Sequence, residues 1–331
     1  MFRFFATVLA LTLELAATSS SRANDTAAET ALGGLALKQS DSISMDSEDL
    51  YISPERVRVK YRFTNITDEV VETVVAFPLP DIPPYSEENK TYWANPVDLK
   101  FRTTIDRKPV SFDIVQQAIF KGKDVTARLQ TLKVRLNYRD PAFEAALNEA
   151  PQAERKKLIT EGLLKDEGVG GQHSYEPQWS LRTIVTRRQT FPPKTTVSVE
   201  HEYAPLAGGS LAGYLSASQR KTSEFKEKQR KYCIDRDWLA SFDRHAGKTE
   251  AGDAYGEIWL GYVLTTGANW KGPIGEFRLV VDKGKADRLV SFCADGVKKI
   301  SDTQFEVRQK NFTPRKDLEI LIVEWLRSAD K

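Results

Sequence analysis

Histidine is scarce in this sequence, with three residues among 331, at His173, His201 and His245. No two of them stand at the close spacing of a zinc-binding pair, and two cysteines are too few to complete a structural zinc site. A metal is therefore not expected, nor any cofactor, since the chain also lacks a phosphate loop and a dinucleotide fingerprint after a strand. His201 shares an alternating pattern with Val197, Val199 and Tyr203 and reads as a packed, hydrogen-bonded side chain. An excess of one charge is missing too: 48 basic against 46 acidic residues leave +2, with no basic stripe, so no nucleic-acid footprint is visible. There is no Gly-x-Ser-x-Gly elbow. Ser-x-x-Lys occurs at Ser218, Ser223 and Ser328, but three matches in a chain rich in both residues, without the accompanying Ser-Asp-Asn and Lys-Thr-Gly elements, read as chance.

What is present is an ordinary globular composition, 40% hydrophobic and 28% charged, long enough for one large or two ordinary domains. The first 23 residues are set apart. Arg3 gives a positive start, Phe4 to Leu13 form an apolar run, and Ser21-Arg22-Ala23 ends on small residues, the pattern of an export signal cut after Ala23. The run is short for a membrane span and Glu14 interrupts it. The expected location is periplasmic or secreted, with no transmembrane segment after cleavage. In an oxidising compartment Cys233 and Cys293 are expected to pair, the alternative being two buried thiols.

Along the mature chain the dominant signal is the two-residue alternation of strands. Val57, Val59, Tyr61 and Phe63 alternate with Arg and Lys, a polar turn follows at 65–69, and Val70 to Phe77 is β-branched again until Pro78 and Pro80 stop it. This reads as a hairpin, as do 99–105 with 110–114, and 179–185 with 197–203. Residues 24–49 read as a loop-rich entry whose acidic cluster, Asp46, Glu48 and Asp49, is solvated. Asp124 and Asp140-Pro141 open short helices in a block ending near 165. Ser218 to Lys231 is highly charged, Asp235 can cap a helix carrying Trp238, Leu239 and Phe242, and short strands recur from 257 to 325. The expectation is a mainly β protein: a signal peptide at 1–23, two antiparallel sandwich-like units at 24–123 and 171–331, and a helical insertion at 124–170.

Several segments, among them GGLAL at 33–37, VAFPLPD at 75–81, QTFPPKTTVSVEHEYAPLAGGS at 189–210 and YVLTTGANWKGPIGEFRLVVDK at 262–283, resemble an uncharacterised family of exported bacterial proteins, a domain of unknown function. The resemblance implies export and an envelope location and brings no activity or catalytic residue with it. YRFTN at 61–65 and FPLP at 77–80 are more weakly similar to the vault and inter-alpha-trypsin type β-domain.

For a site, the loop 265–275, TTGANWKGPIG, stands out. Trp270 and Asn269 could be presented outward and, with Trp93 and Trp179, form an aromatic platform for a glycan or peptide. The competing reading folds Trp270 back as a plug of the sandwich end. Asn-x-Thr sequons at 24, 65, 89 and 311 matter only in a eukaryotic secretory host. The functional expectation is a non-catalytic binding or assembly protein of the envelope, its partner a glycan, a peptide or another envelope protein. The alternative is a glycan-active hydrolase with paired carboxylates, and a third reading, an accessory subunit, would show an exposed apolar patch.

Overall fold

The computed structural model describes residues 26–31, 34–84, 99–168, 170, 173–211, 213–246 and 255–326. The expected signal peptide, Trp93 and the sequons at 24 and 89 lie outside them. The fold is mainly β. Its largest sheet has eight strands in the spatial order Lys298–Lys299, Gln304–Phe312, Ile274–Asp282, Ile43–Ile52, Val57–Asn65, Thr196–Tyr203, Arg102–Ile105 and Lys108–Pro109. All neighbours are antiparallel except Ile274–Asp282 and Ile43–Ile52, which run parallel. A six-stranded sheet contains Val71–Pro78 beside Ser180–Phe191, and a four-stranded sheet has the order Ala207–Ser210, Tyr255–Tyr262, Leu318–Trp325, Leu289–Phe292.

The alternation in Val57–Asn65 produces the expected two faces: Val57, Val59, Tyr61 and Phe63 are buried, while Lys60 and Arg62 are exposed. The buried face of the eight-stranded sheet meets Phe77, Val185 and Phe191 from the six-stranded sheet and Leu260, Tyr262, Ile320 and Ile322 from the four-stranded one. One hydrophobic core thus joins three sheets. The strands expected in separate units at 24–123 and 171–331 share two of them: Thr196–Tyr203 pairs with Val57–Asn65, and Ser180–Phe191 with Val71–Pro78. The helical block between them does form, as Thr126–Gln130, Ala142–Glu149 and Gln152–Thr160, around its own cluster of Leu129, Phe143, Leu147 and Leu158.

Two turns that read as hairpins are arches. Val57–Asn65 and Val71–Pro78 lie in different sheets, and so do Ser180–Phe191 and Thr196–Tyr203. Alternation fixes which face of a strand is apolar and leaves its neighbour open; stepping across the layer keeps both apolar faces on the shared interior. Asn65 ties the arches together. It is fully buried, and its Nδ2 donates to the Glu69 and Phe191 carbonyls at 2.8 and 2.9 Å, so this sequon is a structural fastening.

The acidic entry segment also differs from its reading as a solvated loop. Residues 43–52 form a central strand, and Glu48 is 1% exposed. It sits opposite Tyr61 in the ladder and accepts at 3.4 Å from the Tyr262 hydroxyl, which lies 2.8 Å from the Tyr61 hydroxyl. Burial, with the Tyr61 and Glu48 charges added, pushes the Tyr262 phenol well above its ordinary pKa. His201, also fully buried, shares a 3.0 Å hydrogen bond with Thr103.

Helices Ser223–Tyr232 and Arg236–Ala246 cover the face of the four-stranded sheet turned away from the main core, through Phe225, Tyr232 and Phe242 against Tyr255, Leu321 and Val323. Thr222 caps the first, its Oγ1 accepting from the Phe225 amide, and Asp235 caps the second through the Trp238 amide. Between them stands Cys233, bonded to Cys293. The bridge closes a 60-residue separation and removes both thiols. Denatured but unreduced protein should therefore take up no alkylating reagent at cysteine, and reduced protein two equivalents. Uptake without reductant, measured by intact mass, would refute the pairing.

Candidate binding cleft

Parity along Tyr255–Tyr262 decides what faces the two covering helices. Leu260 and Tyr262 point into the main core; Tyr255, Glu257 and Trp259, on the other face, meet the helix side. Across from them, helix Ser223–Tyr232 places Glu224, Glu227, Lys228 and Lys231 on one stripe, the i, i+3, i+4, i+7 spacing of a single helical face. These residues, with Ser210, Gly213, Tyr214, Gln219, Tyr232 and Trp259, line a cleft of about 580 Å³. Trp259, Tyr232 and Lys231 also border a smaller cavity of about 290 Å³ that runs on to Pro80, Asp81 and Glu319.

The floor of the cleft is a buried ion pair. The Glu257 side chain has no exposed surface, and its Oε2 accepts from the Lys228 ammonium and, at 2.8 Å, from the Trp259 indole N–H. The Lys228 side chain is 12% exposed, and its ammonium also stands over the Trp259 ring, 5.6 Å from the centre. Glu257 Oε1 is buried without a hydrogen-bond partner, against Gly213. A Cβ on residue 213 would lie 1.8 Å from that oxygen and 2.9 Å from Lys228 Nζ, so any side chain on this wall would displace the ion pair. The same wall is fastened by the Tyr255 hydroxyl, which donates to the Gly213 carbonyl at 2.5 Å and accepts from its amide at 3.0 Å.

The second lysine is engaged as well, with Lys231 Nζ 3.4 Å from Glu319. Desolvation raises the Glu319 carboxyl above its ordinary value despite the opposing pull of Lys231; with 40% of the side chain exposed, solvent limits the size of the effect. Glu224 is held the other way. The helix's first-turn amide and the Ser223 and Thr222 hydroxyls keep its carboxyl below the usual range. At the helix start, Arg220 grips Asp243 with two hydrogen bonds and lowers that carboxyl too.

These shifts have opposite consequences in acid. Asp243, and likewise Glu306 beside Arg308 and Arg278, contributes stability above its unfolded-state value, 3.8 and 4.5 respectively, that is lost as pH falls through the lower native one. Glu319 costs stability at neutral pH, and acidification through its raised value relieves that cost. Urea midpoints measured against pH should fall on the acid side, and Asp243→Asn should flatten that limb while Glu319→Gln steepens it. An unchanged limb in Asp243→Asn would refute the assignment.

The residues singled out from sequence are not gathered into a platform. Trp270 is 1% exposed, its ring 4.8 Å from Phe63 and 6.3 Å from Phe191 in the main core. Asn269 faces inward to the N-terminal strand, donating to Thr26 Oγ1 at 3.0 Å. Trp179 is fully buried in the helical block, its indole N–H on the Leu136 carbonyl. Trp93 is outside the described residues. Lys228, Glu257 and Trp259 escaped the sequence reading. The Glu224–Lys228 and Glu227–Lys231 spacings, each i to i+4, were the available sign of that helix.

A family model described as a domain of unknown function (DUF4424) matches residues 23–321. No curated protein matches. A solved structure from Legionella pneumophila, provisionally described as a nutrient binding protein, is similar at 15% identity and a TM-score of 0.44, covering 91% of this chain and 70% of that one. The weaker likeness to the vault and inter-alpha-trypsin type β-domain is unsupported: the family model that matches is the domain of unknown function.

Proposed function

The chain belongs to the DUF4424 family, whose description carries no activity, and from the cleft's geometry we propose that it is an exported, non-catalytic binding protein of the cell envelope. The observation that carries this reading is the Lys228–Glu257 pair beneath Trp259. The carboxylate best placed for chemistry is already bonded to an ammonium and an indole and is closed off from solvent, an arrangement that shapes a site without offering a base or nucleophile. The exposed carboxylates of the cleft are not arranged as a hydrolase pair: Glu224 and Glu227 share one helical face and the Glu224 carboxyl is lowered, while the raised Glu319 carboxyl of the adjoining cavity is paired with Lys231.

Export is supported by the charged and apolar start of the sequence, by a family match beginning at residue 23, where cleavage is expected, and by the pairing of both cysteines. Among the described residues no helix is long and apolar enough to cross a membrane. A glycan, a peptide or another envelope protein remains the partner class.

The test is a thermal-shift and tryptophan-fluorescence screen of the chain from Asn24 against neutral glycans, peptides, amines and metal ions, beside chromogenic glycosides for turnover. A saturable ligand whose effect vanishes in Trp259→Ala supports the reading. Glycoside turnover abolished by Glu257→Gln would overturn it, as would the absence of any ligand. For export, the N-terminus of the protein recovered from the envelope should be Asn24; an intact Met1 in the cytosol counts against it.

A further inference from the structure

The bridge between Cys233 and Cys293 lies in the open. Both cysteines are exposed, and Cys293 borders two clefts, of about 570 and 550 Å³, the first of them shared with Cys233. Thiol–disulfide exchange begins when a thiolate reaches one of the sulfurs, so a bridge sheltered from solvent is protected and this one is not.

What the bridge joins is also joined without it. Cys233 closes helix Ser223–Tyr232 and Cys293 follows strand Leu289–Phe292; between these elements the Ser291 hydroxyl donates to the Tyr232 carbonyl at 2.9 Å. From the next helix the Trp238 indole N–H donates to the Val290 carbonyl, also at 2.9 Å. With Phe225, Tyr232 and Phe242 packed on the sheet as well, opening the S–S bond leaves both helices docked.

The helix end also provides for a reduced sulfur. The last four carbonyls of a helix lack an intrahelical donor. Here the Gln229 carbonyl has the Ile234 amide and the Tyr232 carbonyl the Ser291 hydroxyl. The Arg230 and Lys231 carbonyls accept from no N–H or O–H among the described residues and have Cys293 Sγ at 3.8 and 3.6 Å. While bridged, that sulfur carries no hydrogen. As a thiol it donates to them, a bond the oxidised form lacks, and whatever stabilises the dithiol makes the bridge easier to reduce.

We propose that Cys233–Cys293 is a thiol–disulfide exchange site, reduced and reoxidised in the folded protein by a dithiol partner. A thiolate of the partner attacks Cys233 Sγ and forms a mixed disulfide as the S–S bond breaks; Cys293 leaves with the electron pair and takes a proton from water. The partner's second thiol, deprotonated in turn, displaces Cys233, which is likewise protonated. The chain gains two electrons and two protons, and the partner ends as a disulfide. Attack falls on Cys233 because that releases Cys293 to the waiting carbonyls. The proposal uses the observed pairing and stands apart from the ligand reading of the other cleft.

Dithiothreitol is the probe, acting on the mature chain with thiols counted by alkylation and intact mass. Native protein should be reduced within about tenfold of the rate in the urea-unfolded chain, and urea below the unfolding transition should not change that rate. Circular dichroism and tryptophan fluorescence should stay native, and glutathione buffers should hold dithiol and bridged forms side by side. Cys293→Ser, which keeps the attacked sulfur, should form a mixed disulfide with oxidised glutathione faster than Cys233→Ser; the reverse preference would overturn the order of attack. Native reduction about 1000-fold slower, climbing with urea as unfolding does, would overturn the whole proposal, because the sulfurs would then be reached only through the open chain. A bridge that stays wholly oxidised in excess reduced glutathione, or loss of the folded signals on reduction, overturns it equally.

Discussion

Replacing Trp270 with alanine is expected to lower stability by about 3–5 kcal/mol, the usual cost of emptying a large aromatic site in a close-packed interior. The indole is 1% exposed and wedged among Phe63, Phe191 and the rest of the main core. The backbone around it does not collapse readily, because Ser40 donates to the Asn269 carbonyl at 2.8 Å and Lys271 to the Ile43 carbonyl at 2.8 Å, pinning both sides of the residue. Trp270→Phe should recover part of the loss by refilling some of the volume. Urea unfolding measures both variants. A loss near zero in the alanine variant, accompanied by loss of ligand binding, would return Trp270 to the role of a presented binding residue.

That one residue illustrates how far the sequence could be read. Glycine and proline around Trp270 mark an irregular loop, and sequence pattern does not state whether an aromatic on such a loop faces inward; packing against Phe63 and Phe191, more than 70 residues away, decides it. The same limit applies to the strands. Apolar alternation in 57–63 identified a buried face and hence the fold class, but the pairing of 57–65 with 43–52 and 196–203 depends on Asn65 and the arch geometry, whose turn-like residues suit a hairpin equally well. Glu48 carries no local mark of burial. It stands in an acidic run with Asp46 and Asp49, both only half-buried, and only the ladder opposite Tyr61 shows that position 48 faces the interior.

The cleft was the least legible part for a related reason. Its buried acid comes from strand Tyr255–Tyr262, its base from helix Ser223–Tyr232 and its wall from Gly213, three segments that pair only after the sheet and helix have docked. In the sequence, 218–231 shows only as a highly charged stretch. What distinguishes Lys228 from its neighbours is a partner 29 positions away.

Lys228→Met tests that partnership most directly. Removing the ammonium leaves the Glu257 carboxylate buried, with the Trp259 N–H as its remaining donor, and breaking such a pair costs about 3–5 kcal/mol. The double variant Lys228→Met, Glu257→Leu removes the stranded charge and replaces it with apolar volume, so it should recover much of the loss; pairs of this kind often exchange for hydrophobic residues at little net cost. The double-mutant cycle therefore predicts strong coupling between positions 228 and 257, measurable by urea unfolding of the four proteins. Additive losses would mean that the two side chains act independently and that the floor of the cleft is not a pair. Recovered stability together with lost ligand binding in the double variant would show that the pair shapes the cleft rather than holding the protein together, since only the first of those roles needs the charges themselves.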